Sequence, residues 1–242
     1  ITDEFKNIID GLLNSKKIFH FVSGVAGTGK STLINEIRKL KDTNVIVVAP
    51  TGISAINVGG TTIHSAFRLP PKMFPEPEYM EYKAPIFEMV DILIIDEISM
   101  VKADLLDAID KSLRMHRKIE KPFGNVKIAV FGDLFQLPPV LDDESRVLFE
   151  TKYSTEYFFG AKCLIDIDPA VYQLTKTFRQ QDTAFVKLLN NIRIAKNLIN
   201  SIEEINKNCY QNNIKSELTL TSRSAKAEKI NLLKLDKINT KE

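Results

Sequence analysis

An α/β fold, a parallel sheet with helices on both faces, is what this 242-residue sequence predicts. Three observations carry the prediction. Apolar runs of strand length, among them "VIVVA" and "ILII", alternate along the chain with segments whose apolar residues recur at helical spacing. The runs are continuous rather than alternating with polar residues, as in strands buried on both faces. Finally, the first strand-to-helix junction, "GVAGTGKST", is rich in glycine, as a turn bringing backbone N–H groups close to a ligand would be.

The elements follow in order. Residues from about Asp3 to Asn14 are amphipathic, "IFHFVSG" reads as a strand, and "KSTLINEIRKL" places Leu33, Ile34, Ile37 and Leu40 on one helical face. "NVIVVA" and "DILIID" are the next strands, "LLDAIDKSL" a helix, and "VKIAVFG" a fourth strand. Residues 68–85 hold five prolines and six charged residues in eighteen, so this stretch is an excursion from the sheet rather than a regular helix. "VYQL" near Val171 is a further strand, followed by helical patterns to about Asn206; the last 25 or so residues read as one strand and one helix.

Composition narrows the classes. Forty-four percent hydrophobic residues can build a core, and a formal charge of +2 gives no overall electrostatic case for nucleic acid, so such a case must come from motifs. Cys163 and Cys209 stand far apart, and His20, His64 and His116 form no ligand pattern, which speaks against a zinc site or a disulfide scaffold and for a reducing intracellular compartment. The apolar runs fall far short of the ~20 residues of a membrane span. The opening "ITDEF" has no basic or apolar leader pattern, so neither a signal peptide nor a membrane partner is expected.

Two motifs carry chemistry. "GVAGTGKST" satisfies GxxxxGK[ST] with Gly24, Gly29, Lys30 and Ser31. In such a loop the backbone of Gly24 through Thr32, including Ala26, Gly27 and Thr28, faces phosphate oxygens, Lys30 pairs with the outer phosphates, and the Ser31 hydroxyl can ligate Mg²⁺. In "DILIIDEISM" the apolar run carries Asp96 to the carboxyl edge of the sheet, where open α/β sheets bind ligands. Asp96 is placed for the Mg²⁺ shell, and Glu97 either orients or deprotonates a water or merely complements a helix dipole. An adjacent Asp-Glu pair favours hydrolysis over transfer to a metabolite. A third stretch, "GDLFQLPPV" (132–140), ends a buried strand in a polar Gln136 and two prolines of fixed φ. From the residues alone it is equally a γ-phosphate sensor or a surface turn.

Taken together, "GVAGTGKST", "APTGISAINVGGTTIHSAF" (49–67), "DEISM" (96–100), "PFGNVKIAVFGDLFQLPPV" (122–140) and "LTKTFRQ" (174–180) resemble consecutive motifs of the Pif-one DNA helicases, with the RecD-like helicases as cousins. The stretch from Asp104 to Lys127 is similar to the segment that sets the Pif-one group apart. The resemblance covers roughly residues 1 to 194. It implies an ATP- and Mg²⁺-dependent helicase acting on single-stranded and tailed duplex DNA, with 5′-to-3′ polarity, and roles in DNA repair, recombination and telomere maintenance. The compartment would be cytoplasmic in a bacterium, nuclear or mitochondrial in a eukaryote, and the protein monomeric. It implies a RecA-like P-loop NTPase domain over residues 1–165, a wedge-type insertion at 68–85, and the beginning of a second RecA-like domain over 166–242. Gln136 becomes the expected γ-phosphate sensor, and Arg179 the arginine reaching that phosphate from the second domain.

The segment 50–67 matches the family's path for single-stranded DNA. Thr51, Thr62, His64 and Ser65 are expected at phosphates and Phe67 at a base, although Thr51 also suits a helix cap and Phe67 a core. Phe74, Tyr79 and Tyr82 are the aromatic candidates for a strand-separating wedge, or for packing the insertion. Phe5 stands where the family has a glutamine that reads adenine, so it either stacks on the base or joins the core; Ser222 replaces a common asparagine. No later motif follows before Glu242, so this is expected to be the amino-terminal half of a motor, binding ATP–Mg²⁺ with feeble turnover. A P-loop ATPase that remodels nucleoprotein without strand separation, and a non-catalytic module retaining the fold, are the competing classes.

Overall fold

The computed structural model describes residues 2–178, 180, 182–210, 218–236 and 238. Six strands form one wholly parallel sheet: β1 (Phe19–Gly24), β2 (Val45–Ala49), β3 (Thr61–Thr62), β4 (Ile92–Ile95), β5 (Lys127–Gly132) and β6 (Ala170–Leu174), in the spatial order β3-β2-β4-β5-β1-β6. The helices of this part are α1 (Asp3–Asn14), α2 (Lys30–Arg38), α3 (Gly52–Asn57), α4 (Ile63–Phe67), α5 (Ala84–Met89), α6 (Ala103–Arg117), α7 (Asp143–Glu150) and α8 (Thr183–Arg193).

The continuity of the apolar runs has a direct structural cause. Along β4 and β5 successive side chains enter opposite cores: Leu93, Ile95, Ile128 and Val130 pack with Phe67, Phe87, Leu106, Ile109 and Leu113, whereas Ile92, Ile94, Ala129 and Phe131 pack with Phe5, Ile8, Leu12, Leu33, Ile34 and Ile37. With both faces covered, every position of a central strand must be apolar. On α2, Leu33, Ile34 and Ile37 are all fully buried, each contributing about 1.5–3 kcal/mol by leaving water, which fixes this helix and the turn before it against the sheet.

The segment from Asp104 to Lys127 acquires a mechanical meaning. On α6 three carboxylates, spaced by three residues, hold irregular backbone in place. Asp104 accepts from the Phe74 N–H at 2.7 Å, Asp107 from the Tyr153 hydroxyl and the Lys162 and Cys163 N–H groups, and Asp110 from the Phe123 N–H. Phe74 and Phe123 both have positive φ, which costs energy outside glycine and needs such a clamp. Buried His116 donates at Nδ1 to the Ser112 carbonyl and accepts at Nε2 from the Met80 N–H at 2.8 Å, tying the proline-rich excursion to the same helix. Arg117 donates to the carbonyls of Phe87, Glu88, Val90 and Gly124.

Two expectations change. The strand near Val171 does not open a second domain at residue 166: as β6 it closes the first sheet, pairing in parallel with β1 from His20↔Ala170 to Gly24↔Leu174. The compact units are residues 1–196 and 197–242. In the second unit α9 (Leu198–Cys209) and α10 (Ser224–Leu235) are found, and no strand occurs among its described residues; Leu218 and Leu220 of the "LTLTS" stretch are largely exposed. No helix among the described residues is long and apolar enough to cross a membrane.

Candidate nucleotide-binding site

The site assembles at the carboxyl ends of β1, β4 and β5, adjacent strands of the sheet. After β1 the chain turns through Gly27 (φ 82°) and Gly29 (φ 87°), both in the left-handed region where a side chain would be strained. A Cβ on Gly24 would stand 2.5 Å from Thr28 Oγ1, and one on Gly29 would stand 3.0 Å from the Phe5 ring. The loop is drawn tight from within: the Thr28 hydroxyl donates to the Val25 carbonyl at 2.9 Å, so this buried side chain braces the loop instead of facing a ligand. From outside, the Phe178 N–H donates to the Gly27 carbonyl at 2.8 Å. Gly29 then caps α2, whose first residues, Lys30, Ser31 and Thr32, line the cleft with the unpaired N–H groups of a helix start.

Lys30 reaches back over this loop, its Nζ 2.6 Å from the Gly24 carbonyl and 3.3 Å from that of Val25. Burial lowers its pKa, while Glu97, Asp133 and Asp96 act in the opposite direction. At the end of β4, Asp96 is 5% exposed, and its Oδ1 is buried without a hydrogen-bond partner among the described residues. Burial pushes its pKa up to about 6 against the pull of the Glu97 backbone N–H and of Lys30. Glu97 adopts φ 51°, ψ 47°, and this left-handed kink takes it out of the strand direction and onto the cleft wall. Such a conformation in a non-glycine residue is held only by its surroundings.

These residues meet. A cleft of about 510 Å³ is lined by Ala26, Gly27, Gly29, Lys30, Ser31, Thr32, Glu97, Gln136 and Phe178, with Asp96 buried behind Glu97. The loop and acidic-box residues read from sequence thus converge with Gln136, whose own N–H bonds the Asp133 carbonyl at 2.9 Å. Arg179 lies outside the described residues. Phe5, 4% exposed among Ile8, Leu12 and Leu33, is a core residue; half-exposed Phe178, which no motif singled out, is the aromatic ring at the cleft mouth. Asp96 Oδ1 is an orphaned acceptor close enough to the loop for its charge to act on Lys30, and no group of three or more His, Cys, Asp or Glu placed to hold a metal ion by itself exists among the described residues. This donor set fits Mg²⁺, which binds through one or two protein oxygens and substrate phosphates rather than in an all-protein cage.

The residues expected at DNA lie at the β2–β3 edge of the same sheet. Thr51 caps α3, accepting from the Ser54 N–H at 3.2 Å, and Thr62 caps α4, accepting from the Ser65 N–H at 3.2 Å. His64 and Ser65 line a second hollow of about 940 Å³ whose charged and aromatic side chains are Arg68, Lys72 and Lys83, the acids Glu76, Glu78 and Glu81, and Tyr79 and Tyr82. Phe67 offers no face to a base: it is fully buried and stacks on Phe87, since the short helix α4 turns its apolar side into the core. Of the wedge candidates, Phe74 packs between Phe149, Tyr153 and Lys152, whereas Tyr79 and Tyr82 are exposed, the first over His116 and the second bonded by Arg68. The basic side chains of this hollow were missed because they fall inside the proline-rich excursion, where no periodicity assigns a face.

A parallel sheet whose first strand feeds a lysine-bearing glycine loop, with two acids and a glutamine at the ends of its neighbours, defines a RecA-like P-loop nucleotide hydrolase fold. Within that class the chain belongs to the PIF1-like helicase family, whose model matches residues 2–212. It is similar to the ATP-dependent DNA helicase PIF1 of Saccharomyces cerevisiae, 36% identical over 206 residues, covering 80% of this chain and 23% of that protein. The corresponding protein of Emericella nidulans is 38% identical over 189 residues, covering 73% and 24%. Among solved structures, the Pif1 helicase from Bacteroides in complex with ADP-AlF3 and ssDNA superposes with a TM-score of 0.91 at 36% identity, covering 99% of this chain and 58% of that one. The chain therefore spans about a quarter of the length of the curated relatives it matches.

Proposed function

We propose that this chain is the ATP- and single-strand-binding motor portion of an ATP-dependent DNA helicase. The observation that carries the reading is the convergence of Lys30, Ser31, Glu97 and Gln136 on one cleft, with Asp96 buried behind it. On nucleotide binding, Lys30 exchanges the Gly24 and Val25 carbonyls for phosphate oxygens, and the loop amides at the start of α2 hold the rest of the phosphate chain. Mg²⁺, when bound, neutralises phosphate charge, and Ser31 and Asp96 are the residues that would hold it, which gives the orphaned Oδ1 its partner. Glu97 accepts the proton of the attacking water, and Gln136 stands at the γ-phosphate; the role of Arg179 rests on its motif. The base lies against Phe178, where stacking replaces recognition by an amide.

The family membership and the ssDNA complex of the Bacteroides relative support the DNA side. Thr51, Thr62, His64 and Ser65 follow the strand along the β2–β3 edge, and Arg68, Lys72 and Lys83 add phosphate contacts. The 5′-to-3′ direction, action on tailed duplex, a monomeric state, and residues 197–242 as the beginning of a second RecA-like domain are part of this proposal. So is feeble turnover by the chain alone, because translocation uses two walls that open and close on nucleotide. In the complete protein, Glu97→Gln is expected to keep nucleotide binding and lose ssDNA-stimulated hydrolysis by about 100-fold or more. A rate within about twofold of the unaltered protein, less than ~0.4 kcal/mol in barrier, would remove Glu97 from the base role. Strand displacement on a 5′-tailed duplex then separates a helicase from a remodelling ATPase.

A further inference from the structure

The loop after β5 is held by a residue sixty positions away, which no motif connects to it. Asp133 is 1% exposed, and Arg193, in the last turn of α8, grips both of its oxygens: Nε donates to Oδ2 at 2.7 Å and Nη2 to Oδ1 at 2.6 Å. The same carboxylate accepts from the Phe135 N–H at 3.1 Å and, at Oδ2, from Gln136 Nε2 at 3.4 Å. The Arg193 guanidinium also lies 4.5 Å from the centre of the Phe135 ring. A rigid planar fork suits this two-point grip, and an ammonium cannot reproduce it.

The surroundings show why the grip matters. A cleft of about 500 Å³, lined by Phe135 and Gln136 of the loop, Val25 of the glycine loop, and Phe185, Val186 and Leu189 of α8, opens beside the fork. Across that cleft the fork ties loop to helix. Gln136 lines both this cleft and the nucleotide cleft, and shares Asp133 Oδ2 with Arg193. A phosphate oxygen that draws the Gln136 amide toward itself therefore competes for that N–H with Asp133 Oδ2, the oxygen that Arg193 also holds.

We propose that Arg193 is a positioning residue for the nucleotide reaction: through Asp133 it sets the direction of the Gln136 amide, and the presence of a third phosphate is passed to α8 by the same carboxylate. This rests on the reading of Gln136 given under Proposed function. A purely structural arginine would satisfy a buried carboxylate and treat nucleoside di- and triphosphates alike.

The test is an equilibrium titration of the 242-residue chain with ATPγS and with ADP, both with Mg²⁺. Arg193→Ala is expected to weaken ATPγS by about fivefold or more while ADP shifts by less than about twofold. Gln136→Ala should do the same, and the double variant should be no worse than the weaker single one. Arg193→Lys, which leaves the carboxylate a cation but no fork, should follow Arg193→Ala, and carries the test if the alanine variant does not fold. Equal losses for both nucleotides, no change, or additive losses in the double variant overturn the proposal. If Gln136→Ala itself leaves the ATPγS-to-ADP ratio unchanged, the sensor reading fails and the positioning role with it; a shift in Gln136→Ala without one in the Arg193 variants overturns the positioning role alone.

Discussion

An alanine in place of Lys30 is expected to weaken Mg·ATP binding by roughly 100-fold, about 3 kcal/mol, the worth of two charge-assisted hydrogen bonds to phosphate at ~1.5 kcal/mol each. Nζ is already poised: it rests on the Gly24 and Val25 carbonyls, with Glu97, Asp133 and Asp96 favouring its charge in a partly buried site. Glu97 on the cleft wall also makes the site hostile to a polyphosphate once the cation is gone, so the loss should exceed that of a solvent-exposed lysine. Calorimetric titration measures it, and a thermal melt within a few degrees of the unaltered chain would show that the fold survives. Affinity within about threefold of the unaltered chain would mean that the loop does not hold phosphate.

Changing Asp96 to asparagine is expected to stabilise the nucleotide-free chain while destroying Mg²⁺-dependent binding. The pKa of Asp96 is raised from 3.8 to about 6, first by burial and then by Glu97, so the folded state holds this proton more tightly than the unfolded chain does. Ionisation of Asp96 therefore costs stability, growing as pH rises from about 4 and complete above about pH 6, by at most about 3 kcal/mol for a shift of that size. Asparagine carries no such charge at any pH. The variant should melt several degrees above the unaltered chain at pH 7.5, and the gain should fade toward pH 4. Stability surrendered at a binding site in this way is the usual trade between fold and function. A gain independent of pH, or none, would show that the buried carboxylate is not strained.

The parts of the fold that were legible are those written in local periodicity. The continuous apolar runs of β2, β4 and β5 and the spacing of Leu33, Ile34 and Ile37 assigned buried strands and a covering helix, because burial on two faces leaves no room for polar residues. The glycine loop was legible because φ near +85° demands glycine, and the acids after β4 because two carboxylates directly after a buried apolar run stand at the carboxyl edge of the sheet. Short elements were not. β3 is two residues long, and α4, five residues, carries Phe67 inward; nothing in five residues distinguishes a ring facing a base from one facing a core.

Position in the sheet was equally hidden. "VYQL" reads as a strand, but its place beside β1 depends on parallel pairing across some 150 residues, which no local pattern records. The Arg193–Asp133 fork is the same kind of fact: a helix-end arginine looks like solvent-exposed charge until the fold brings it over the loop. "GDLFQLPPV" was balanced between a turn and a sensor when read alone. The fold buries its Asp133 under Arg193 and sets Gln136 on the wall of the cleft, a placement that no local pattern records; the sensor is the role proposed for it above.

Nucleotide binding at one cleft is the premise on which the ATPase, the sensor and the DNA coupling all stand. An equilibrium titration of the unaltered 242-residue chain with ATPγS, run once with Mg²⁺ and once with EDTA, measures it. One saturable site per chain that weakens at least about tenfold in EDTA is the predicted result, because Asp96 Oδ1 and Ser31 need a cation to engage the phosphates. No saturable binding, or binding indifferent to Mg²⁺, would contradict it.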